Sequence, residues 1–301
     1  MHHSHWHILG AGAIGCLFAQ ALQAYTRTTL VLRPGATHDD SITVRGESAE
    51  TVIPIPCSYS SERTEINQLL VTTKAYDVED ALHSVAHRLR AGSTIVLMVN
   101  GMGLAERVRA RYAQHTVFSA TTTAGAHRLG HLHIRPAGRG ETRVGRQHQL
   151  QPAPWFEAWR EALNPCVWDH DIDSALWHKL AVNTVINPVT ALYRCNNGQL
   201  AEQPALQALV ASLCREASQI SDAAGYTRTA QTLLSQAQAV IRATASNRSS
   251  MLQDVEAGRP TEIDYITGYL LETADRFGIV ASEHRALFNA IKNSEVRHIA
   301  P

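Results

Sequence analysis

Residues 10–15 read Gly10-Ala11-Gly12-Ala13-Ile14-Gly15, with a short apolar run at 6–9 directly before them and an apolar stretch of helical length, 16–22, behind. A G-x-G-x-x-G pattern says little alone. Between a strand and a helix it constrains the chain severely. Gly10 permits the tight turn, Gly12 lets the backbone approach a pyrophosphate, and Gly15 lets the helix pack on the strand. The helix N-terminus then offers unpaired amide N–H groups to an anion. The expectation is an α/β domain of Rossmann type that opens on a dinucleotide held along Gly10, Ala11, Gly12, Ala13, Ile14 and Gly15.

The next segments alternate as such a domain requires. A second strand at 28–32 ends in Arg33-Pro34-Gly35. Readers of NAD place an acid here for the ribose 2′-hydroxyl, whereas an arginine accommodates a 2′-phosphate. No acid stands at this point, so Arg33 favours NADP(H) over the alternative of a solvated loop arginine. Segments 41–46 and 51–56 alternate like a small antiparallel hairpin. A strand at 69–73 ends in Lys74, helical spacing follows at 81–89, and a strand at 94–99 ends in Asn100-Gly101-Met102-Gly103. Lys74 and Asn100 therefore sit at the carboxyl ends of parallel strands, the edge where open α/β sheets bind ligands. Lys74 reads equally well as a solvated strand-end charge. Further strands are expected at 117–123, 132–135 and 142–145, with the sheet becoming mixed over the last two; a helix at 155–163 and a strand at 166–168 close the domain.

Beyond Asp169 the period changes. Helical patterns run over 172–192, 206–224, 229–244, 263–277 and 283–291, and Gly225 and Gly278 stand where helix C-terminal glycines belong. This implies two domains, a dinucleotide-binding one over 1–169 and an all-α one over 170–301, with the cleft between them. Within the first helix of the second domain, Lys179, Asn183 and Asn187 stand at i, i+4 and i+8, an arc of about 80°. Apolar residues surround that arc on nearly all other sides, which marks a buried helix. An ammonium and two amides there each need a partner, because burying them unpaired costs several kcal/mol. They meet either neighbouring loops or a small polar ligand. Pro188 is expected to break the helix, since it cannot donate to the carbonyl of Thr184.

Composition narrows the function classes. Twenty-seven basic and 27 acidic side chains in 301 residues cancel. No net field then favours nucleic acid or an anionic membrane. No apolar run approaches the roughly 18 residues of a membrane span, and no signal-peptide core precedes Gly10. Five scattered cysteines without C-x-x-C spacing suit a reducing cytoplasm and present no zinc motif. The start Met1-His2-His3-Ser4-His5-Trp6-His7 reads as a tip leading into a strand rather than as a metal site. Hydrolysis and metal chemistry have no visible apparatus: there is no G-x-S-x-G and no Cys/His pair at ligand spacing.

In order along the chain, the motifs G-A-G-A-I-G, L-R after the second strand, T-T-K-A, N-G-M-G, T-T-T, L-W-H-K-L-A-V-N-T-V-I-N-P-V-T-A, N-N-G-Q-L, N-R-S-S-M-L-Q-D-V and T-E-I-D-Y-I-T-G resemble the ketopantoate reductase (2-dehydropantoate 2-reductase) family. The resemblance spans essentially the whole chain, and the C-terminal motifs are far more specific than the glycine turn. It implies NADPH-dependent reduction of the ketone of 2-dehydropantoate, a step of pantothenate and coenzyme A synthesis. It puts the catalytic lysine on Lys179 and substrate-binding asparagines on Asn183, Asn187 and Asn197. The serine for the substrate carboxylate falls on Ser250, and the glutamate associated with cofactor and lysine on Glu262. Lys74, Asn100 and Ala126 match cofactor-side positions, Asn100 also facing substrate, and Arg33 matches the 2′-phosphate contact. The run T-T-T-A-G-A-H-R is less basic than the family's usual one, which bears on Ala126 alone.

The chemistry stands beside the resemblance. Carbonyl reduction needs a hydride and an acid, and Lys179 can protonate and stabilise the forming alkoxide. Asn183 and Asn187 can orient a ketone without adding charge, and Asn247 and Ser250 can donate to a carboxylate. Each residue also has a plainer reading. Ser249 and Ser250 suit the N-cap of a helix starting near Met251, Glu262 suits a helix first turn, and Asn197-Gly198 suits a turn. Their joint occurrence favours an enzyme acting on a small 2-oxo acid, as a monomer or homodimer. The alternatives are a reductase of another 2-oxo acid and a non-catalytic NADP-binding regulatory module.

Overall fold

A computed structural model describes residues 4–299, with side chains described to residue 295. Met1, His2 and His3 of the histidine-rich start lie outside the described residues. The chain divides into two compact units, one of residues 1–99 and 104–175, the other of residues 100–103 and 176–301.

The first unit is built on an eight-stranded sheet. Its strands, in chain order, are β1 (His5–Leu9), β2 (Arg27–Leu32), β5 (Cys57–Tyr59), β6 (Ile66–Val71), β7 (Leu89–Leu97), β8 (Thr116–Thr122), β11 (Thr142–Gly145) and β12 (Cys166–Trp168). They lie in the order β12-β11-β8-β7-β6-β1-β2-β5. Every pair is parallel except β11 on β8. Central strands of such a sheet are covered on both faces and read as unbroken apolar runs; β1 and β2 are buried almost throughout, and β6 over Leu69, Leu70 and Val71. Even His7 lies inside β1, where burial pushes its imidazole down to about 3 and keeps it neutral. Helices α1 (Ala13–Leu22), α2 (Val78–Val85), α3 (Leu104–Arg111) and α4 (Phe156–Ala162) complete the unit. Trp6, Trp155 and Trp159 pack ring on ring, with centroids 4.9–5.3 Å apart.

A smaller sheet flanks this frame, in the order β4-β3-β10-β9, from β3 (Ser41–Arg45), β4 (Glu50–Pro54), β9 (Gly125–Gly130) and β10 (His133–Gly138). The expected hairpin is present as β3 and β4 in antiparallel register. The strand expected at 132–135 does not extend the main sheet. As β10 it joins the hairpin, parallel to β3 and antiparallel to β9, so only β11 makes the main sheet mixed. Three elements of this unit escaped the sequence reading: the three-residue β5, α3 and β9. Helix α3 buries only Leu104 and Val108 among its eight residues, too thin an apolar stripe to stand out. Strand β9 is bounded by Gly125 and Gly130 and buries no residue fully.

The second unit is helical: α5 (Ile172–Tyr193), which begins in the first unit, then α6 (Gln199–Glu202), α7 (Pro204–Ala223), α8 (Thr227–Ala243), α9 (Ser250–Glu256), a π-turn at Asp264–Gly268, α10 (Tyr269–Arg276) and α11 (Ser282–Ile299). Gly225 and Gly278 adopt left-handed φ of 88° and 66° at the ends of α7 and α10, as their positions required. The expected break at Pro188 is absent, and α5 runs through it to Tyr193. An internal proline costs about 3 kcal/mol. Against it, Val185, Ile186 and Val189 are buried, each contributing about 1.5–3 kcal/mol, so packing wins. Among the described residues, no helix is long and apolar enough to cross a membrane.

Candidate active site

In the first unit the glycine turn has the geometry its sequence demanded. Gly10 adopts φ +110°, and a Cβ there would stand 2.8 Å from the Thr73 amide nitrogen. A Cβ on Gly15 would fall 1.9 Å from the Gly10 carbonyl oxygen, so α1 can approach β1 only with glycine there. The Thr72 hydroxyl donates to the Gly10 carbonyl at 2.8 Å and fixes the turn. At Gly12 a Cβ would meet nothing within 4 Å. Gly12 is the N-cap of α1 and gives it no side-chain cap. The first turn of α1, at Ala13 and Ile14, thus opens beside a clear surface, which fits a pyrophosphate on backbone N–H groups. Ala11 is half-buried beside it.

Arg33 follows β2 and is exposed, its guanidinium donating to Asp77 Oδ2 at 3.1 Å. Such a surface pair is worth only about 0–1 kcal/mol and yields readily to a phosphate. Lys74 follows β6 and caps the short 3-10 turn Ala75–Asp77, its carbonyl accepting from the Asp77 amide at 3.0 Å. Ala126 lies in β9 opposite Pro136, packed on the core beside α1 residues.

The second unit gathers the remaining residues. Lys179 lies on α5, half-buried, and burial lowers its ammonium to about 8 while the Glu262 carboxylate acts in the opposite direction. Glu262 is buried just ahead of the π-turn, with Thr261 and Ile263 buried on either side. Asn100 belongs to this unit and not to the sheet that leads to it: its Nδ2 donates to Glu262 Oε2 at 3.1 Å. The backbone around it is equally committed. Met102 N–H donates to the Tyr265 carbonyl, and a Cβ on Gly101, at φ +88°, would stand 2.4 Å from that oxygen. Only glycine lets this segment seat on the π-turn.

Asn183 is half-buried and Asn187 buried, one and two turns beyond Lys179 on the same arc. The Thr190 hydroxyl donates to Ser249 Oγ at 2.7 Å and lies 3.0 Å from the Asn187 carbonyl oxygen. Ser249 in turn accepts from the Leu252 amide, and is the N-cap of α9. Ser250, the next residue, is exposed and is not the cap. The two serines therefore separate: one fastens α9 to α5, and the other is left to solvent or ligand. Asn197 donates through its amide N–H to the Asn247 carbonyl at 3.0 Å and through Nδ2 to Thr244 at 2.8 Å. Its Oδ1 is buried without a partner, an acceptor costly to leave unpaired. Asn247 is exposed at the same corner.

The cysteines take no part. All five are free, and burial pushes the thiols of Cys16, Cys166 and Cys214 up to about 11–12.

An α/β unit with a glycine turn open to an anion, followed by an all-helical unit holding a half-buried lysine and a carboxylate, defines a two-part dinucleotide-dependent reductase. Within that class the chain belongs to the ketopantoate reductase family. Residues 6–149 match the family model described as ketopantoate reductase PanE/ApbA, and residues 171–295 match that of its C-terminal part. The 2-dehydropantoate 2-reductase of Vibrio cholerae is 34% identical over 302 residues, covering 96% of this chain and 97% of its own. Among solved structures, a PanE/ApbA family ketopantoate reductase from Ralstonia eutropha superposes with a TM-score of 0.85 at 21% identity, over 99% of this chain and 100% of its own. D-mandelate dehydrogenase with NADH and anilino(oxo)acetate superposes with a TM-score of 0.87 at 17% identity, over 99% and 100%. These two extend the fold comparison alone.

Proposed function

We propose that the protein reduces 2-dehydropantoate to pantoate with NADPH, and that Lys179 is the general acid. The observation that carries the proposal is the Lys179 ammonium, lowered to about 8 by burial and opposed by Glu262, on a helix that also carries Asn183 and Asn187. An acid works best when its pKa lies near the operating pH.

The bound nicotinamide supplies the hydride. Lys179 Nζ donates a proton to the ketone oxygen as it becomes an alkoxide, and its charge stabilises that oxygen beforehand. Glu262 keeps the ammonium charged against the desolvation that would neutralise it, and Asn100 fixes the carboxylate. Asn183 and Asn187 orient the substrate carbonyl and hydroxyl, and the Asn197 Oδ1 accepts from a substrate hydroxyl. Ser250 and Asn247 donate to the substrate carboxylate. In the first unit, Gly10, Gly12, Ala13, Ile14 and Gly15 hold the pyrophosphate, Ala11, Lys74 and Ala126 line the dinucleotide, and Arg33 pairs with the 2′-phosphate.

The test is turnover, followed by NADPH absorbance, with 2-dehydropantoate against a panel of 2-oxo acids. The expected result is the highest kcat/KM for 2-dehydropantoate and a clear preference for NADPH over NADH. A higher kcat/KM with an unbranched or aromatic 2-oxo acid would reassign the substrate. No turnover with any of them, together with retained NADPH binding, would favour a regulatory module.

A further inference from the structure

We propose that His38, Asp40 and Cys57 form a binding site for a single borderline-soft divalent cation, zinc by its chemistry, that clamps the edge strand β5 to the loop carrying Arg33. The His38, Asp40 and Cys57 ligand atoms all lie within 4.8 Å of one another. Around a tetrahedral zinc, with bonds of about 2.0–2.3 Å, neighbouring ligand atoms stand roughly 3.3–3.6 Å apart. His38 Nδ1 and Asp40 Oδ1 already stand 3.3 Å apart. Nδ1 is buried, yet makes no hydrogen bond of acceptable geometry. The two atoms face each other as an ion pair when the imidazole is protonated, and with a neutral imidazole a cation between them satisfies both. The Cys57 sulfur completes the set within that 4.8 Å, its thiol now 3.5 Å from the Ile55 carbonyl oxygen.

The frame around these groups is already fixed. Asp40 adopts a left-handed φ of 51°, and its carbonyl accepts from the Ile55 amide at 2.8 Å. Its Oδ1 also accepts from the Cys57 amide at 2.8 Å, so carboxylate and cysteine are registered through the backbone. The loop is tied at two further points: Tyr59 Oη donates to the Ala36 carbonyl at 2.9 Å, and a His131 ring nitrogen lies 2.7 Å from the Thr37 carbonyl oxygen. The neighbouring acid is engaged elsewhere, since Asp39 accepts from the Ser41 hydroxyl. Such support holds the ligating side chains in place. The Asp40 side chain is 62% exposed, which leaves a side for entry and for a water as fourth ligand. A thiolate, an imidazole and a carboxylate together select zinc over calcium or magnesium, which prefer oxygen alone. On binding, the Cys57 S–H proton passes to solvent and a sulfur–metal bond replaces it; nothing is oxidised or reduced.

Position suggests what the clamp does. β5 is the outermost strand of the main sheet, paired on one side only, with β2. His38 and Asp40 lie in the stretch between β2 and β3 that begins with Arg33. A cation here stitches an open sheet edge to that loop. The sequence hides the site because the two loop ligands precede the cysteine by nineteen and seventeen positions, in no recognised motif.

Cobalt(II) is the probe, because a thiolate ligand gives it a charge-transfer band in the near ultraviolet, and zinc is the competitor. The expected result is one cobalt bound per chain with that band, displaced by one equivalent of zinc. Cys57→Ser should abolish the band. His38→Ala should weaken cobalt at least roughly tenfold, since loss of even an outer partner costs 10–100-fold. A His2→Ala/His3→Ala chain should keep both, which separates the site from the N-terminal histidines. No band with the parent protein at millimolar cobalt, or a band that survives Cys57→Ser, overturns the proposal. Should Cys57→Ser fail to fold, Asp40→Asn at an exposed position decides: cobalt affinity equal to the parent's overturns it.

Discussion

Asn100 donates its amide to Glu262 Oε2 across 3.1 Å, joining residues 162 positions apart. Glu262 in turn acts on Lys179, raising the pKa that burial lowers. Glu262→Gln keeps an acceptor for Asn100 but removes the charge. The pKa of Lys179 should then fall below about 8, so the kcat/KM profile for ketone reduction should turn down at lower pH than in the parent. NADPH affinity measured by fluorescence should change little by comparison. A pH profile superimposable on the parent's would mean that Glu262 does not tune the acid.

Lys179 itself fixes the direction of the pH dependence. A general acid must be protonated, so kcat/KM for reduction should be flat below about 8 and fall roughly tenfold per pH unit above it. Alcohol oxidation should show the opposite limb. Lys179→Met should lose about 10²–10⁴-fold in turnover. The same pKa has a stability signature. Because the folded value lies below the ordinary lysine value of 10.5, the unfolded chain binds more protons between about 8 and 10.5. This term should make stability rise with pH across that window. In Lys179→Met the term is gone, and urea midpoints across the window should show it. A variant that folds, binds NADPH and still turns over within about threefold of the parent would place the proton donor elsewhere.

What could be read from the sequence follows the range of the interactions. The glycine turn was legible because its constraints are local: Gly10, Gly12 and Gly15 act within six residues. The arc of Lys179, Asn183 and Asn187 was legible from helical period alone. Other features depended on partners far away in the chain. Asn100 reads as the tip of β7 until Glu262 reaches it, and Asn197 reads as a turn until Asn247 and Thr244 arrive. Pro188 reads as a break until the burial of Val185, Ile186 and Val189 is weighed against it. Ser249 and Ser250 could not be told apart, because the cap is identified by the Leu252 amide that Ser249 accepts, beside the distant Thr190 hydroxyl.

Arg33 should discriminate cofactors. Its pair with Asp77 is solvent-exposed and weak, whereas a charge-assisted contact to a 2′-phosphate is worth about 1.5–3 kcal/mol. Arg33→Ala should therefore weaken NADPH about ten- to a hundred-fold and NADH far less. Asp77→Asn should leave NADPH affinity equal or slightly higher. Equal losses for both cofactors in Arg33→Ala, read by calorimetric titration, would remove Arg33 from phosphate recognition.

Glu216 on α7 receives the Glu283 amide at 2.9 Å, the His284 amide at 3.1 Å and the Ser282 hydroxyl at 3.3 Å, and lies 2.9 Å from His284 Nδ1. It therefore caps the start of α11 from another helix. Although burial alone would raise its pKa, these bonds hold it down to about 2, below the ordinary glutamate value of 4.5. With a depressed folded pKa, the stability it contributes is present above about 4.5 and is lost as pH falls toward 2. Glu216→Gln should lower the melting temperature at neutral pH and flatten its decline across that acid window. An unchanged acid limb would show that α11 is anchored by other contacts.

Two neighbouring serines differ in geometry and should differ in role. Ser249 is buried, accepts from the Leu252 amide at 3.1 Å and takes a 2.7 Å hydrogen bond from Thr190. Ser249→Ala removes a helix cap, which typically costs about 1 kcal/mol. At about 2–4 °C per kcal/mol for a chain of a few hundred residues, the melting temperature should fall by a few degrees. Ser250 is exposed at the first turn of α9 and is not the cap. Ser250→Ala should leave the melting temperature where it was and raise KM for the 2-oxo acid about tenfold, the loss expected for a hydrogen bond to a charged group. Turnover should fall less than KM rises if, as proposed, the hydroxyl holds the carboxylate and not the reacting ketone. If the outcomes are exchanged, so that Ser250→Ala lowers the melting temperature and leaves KM unchanged, Ser250 is a structural residue of α9 and the carboxylate is bound elsewhere.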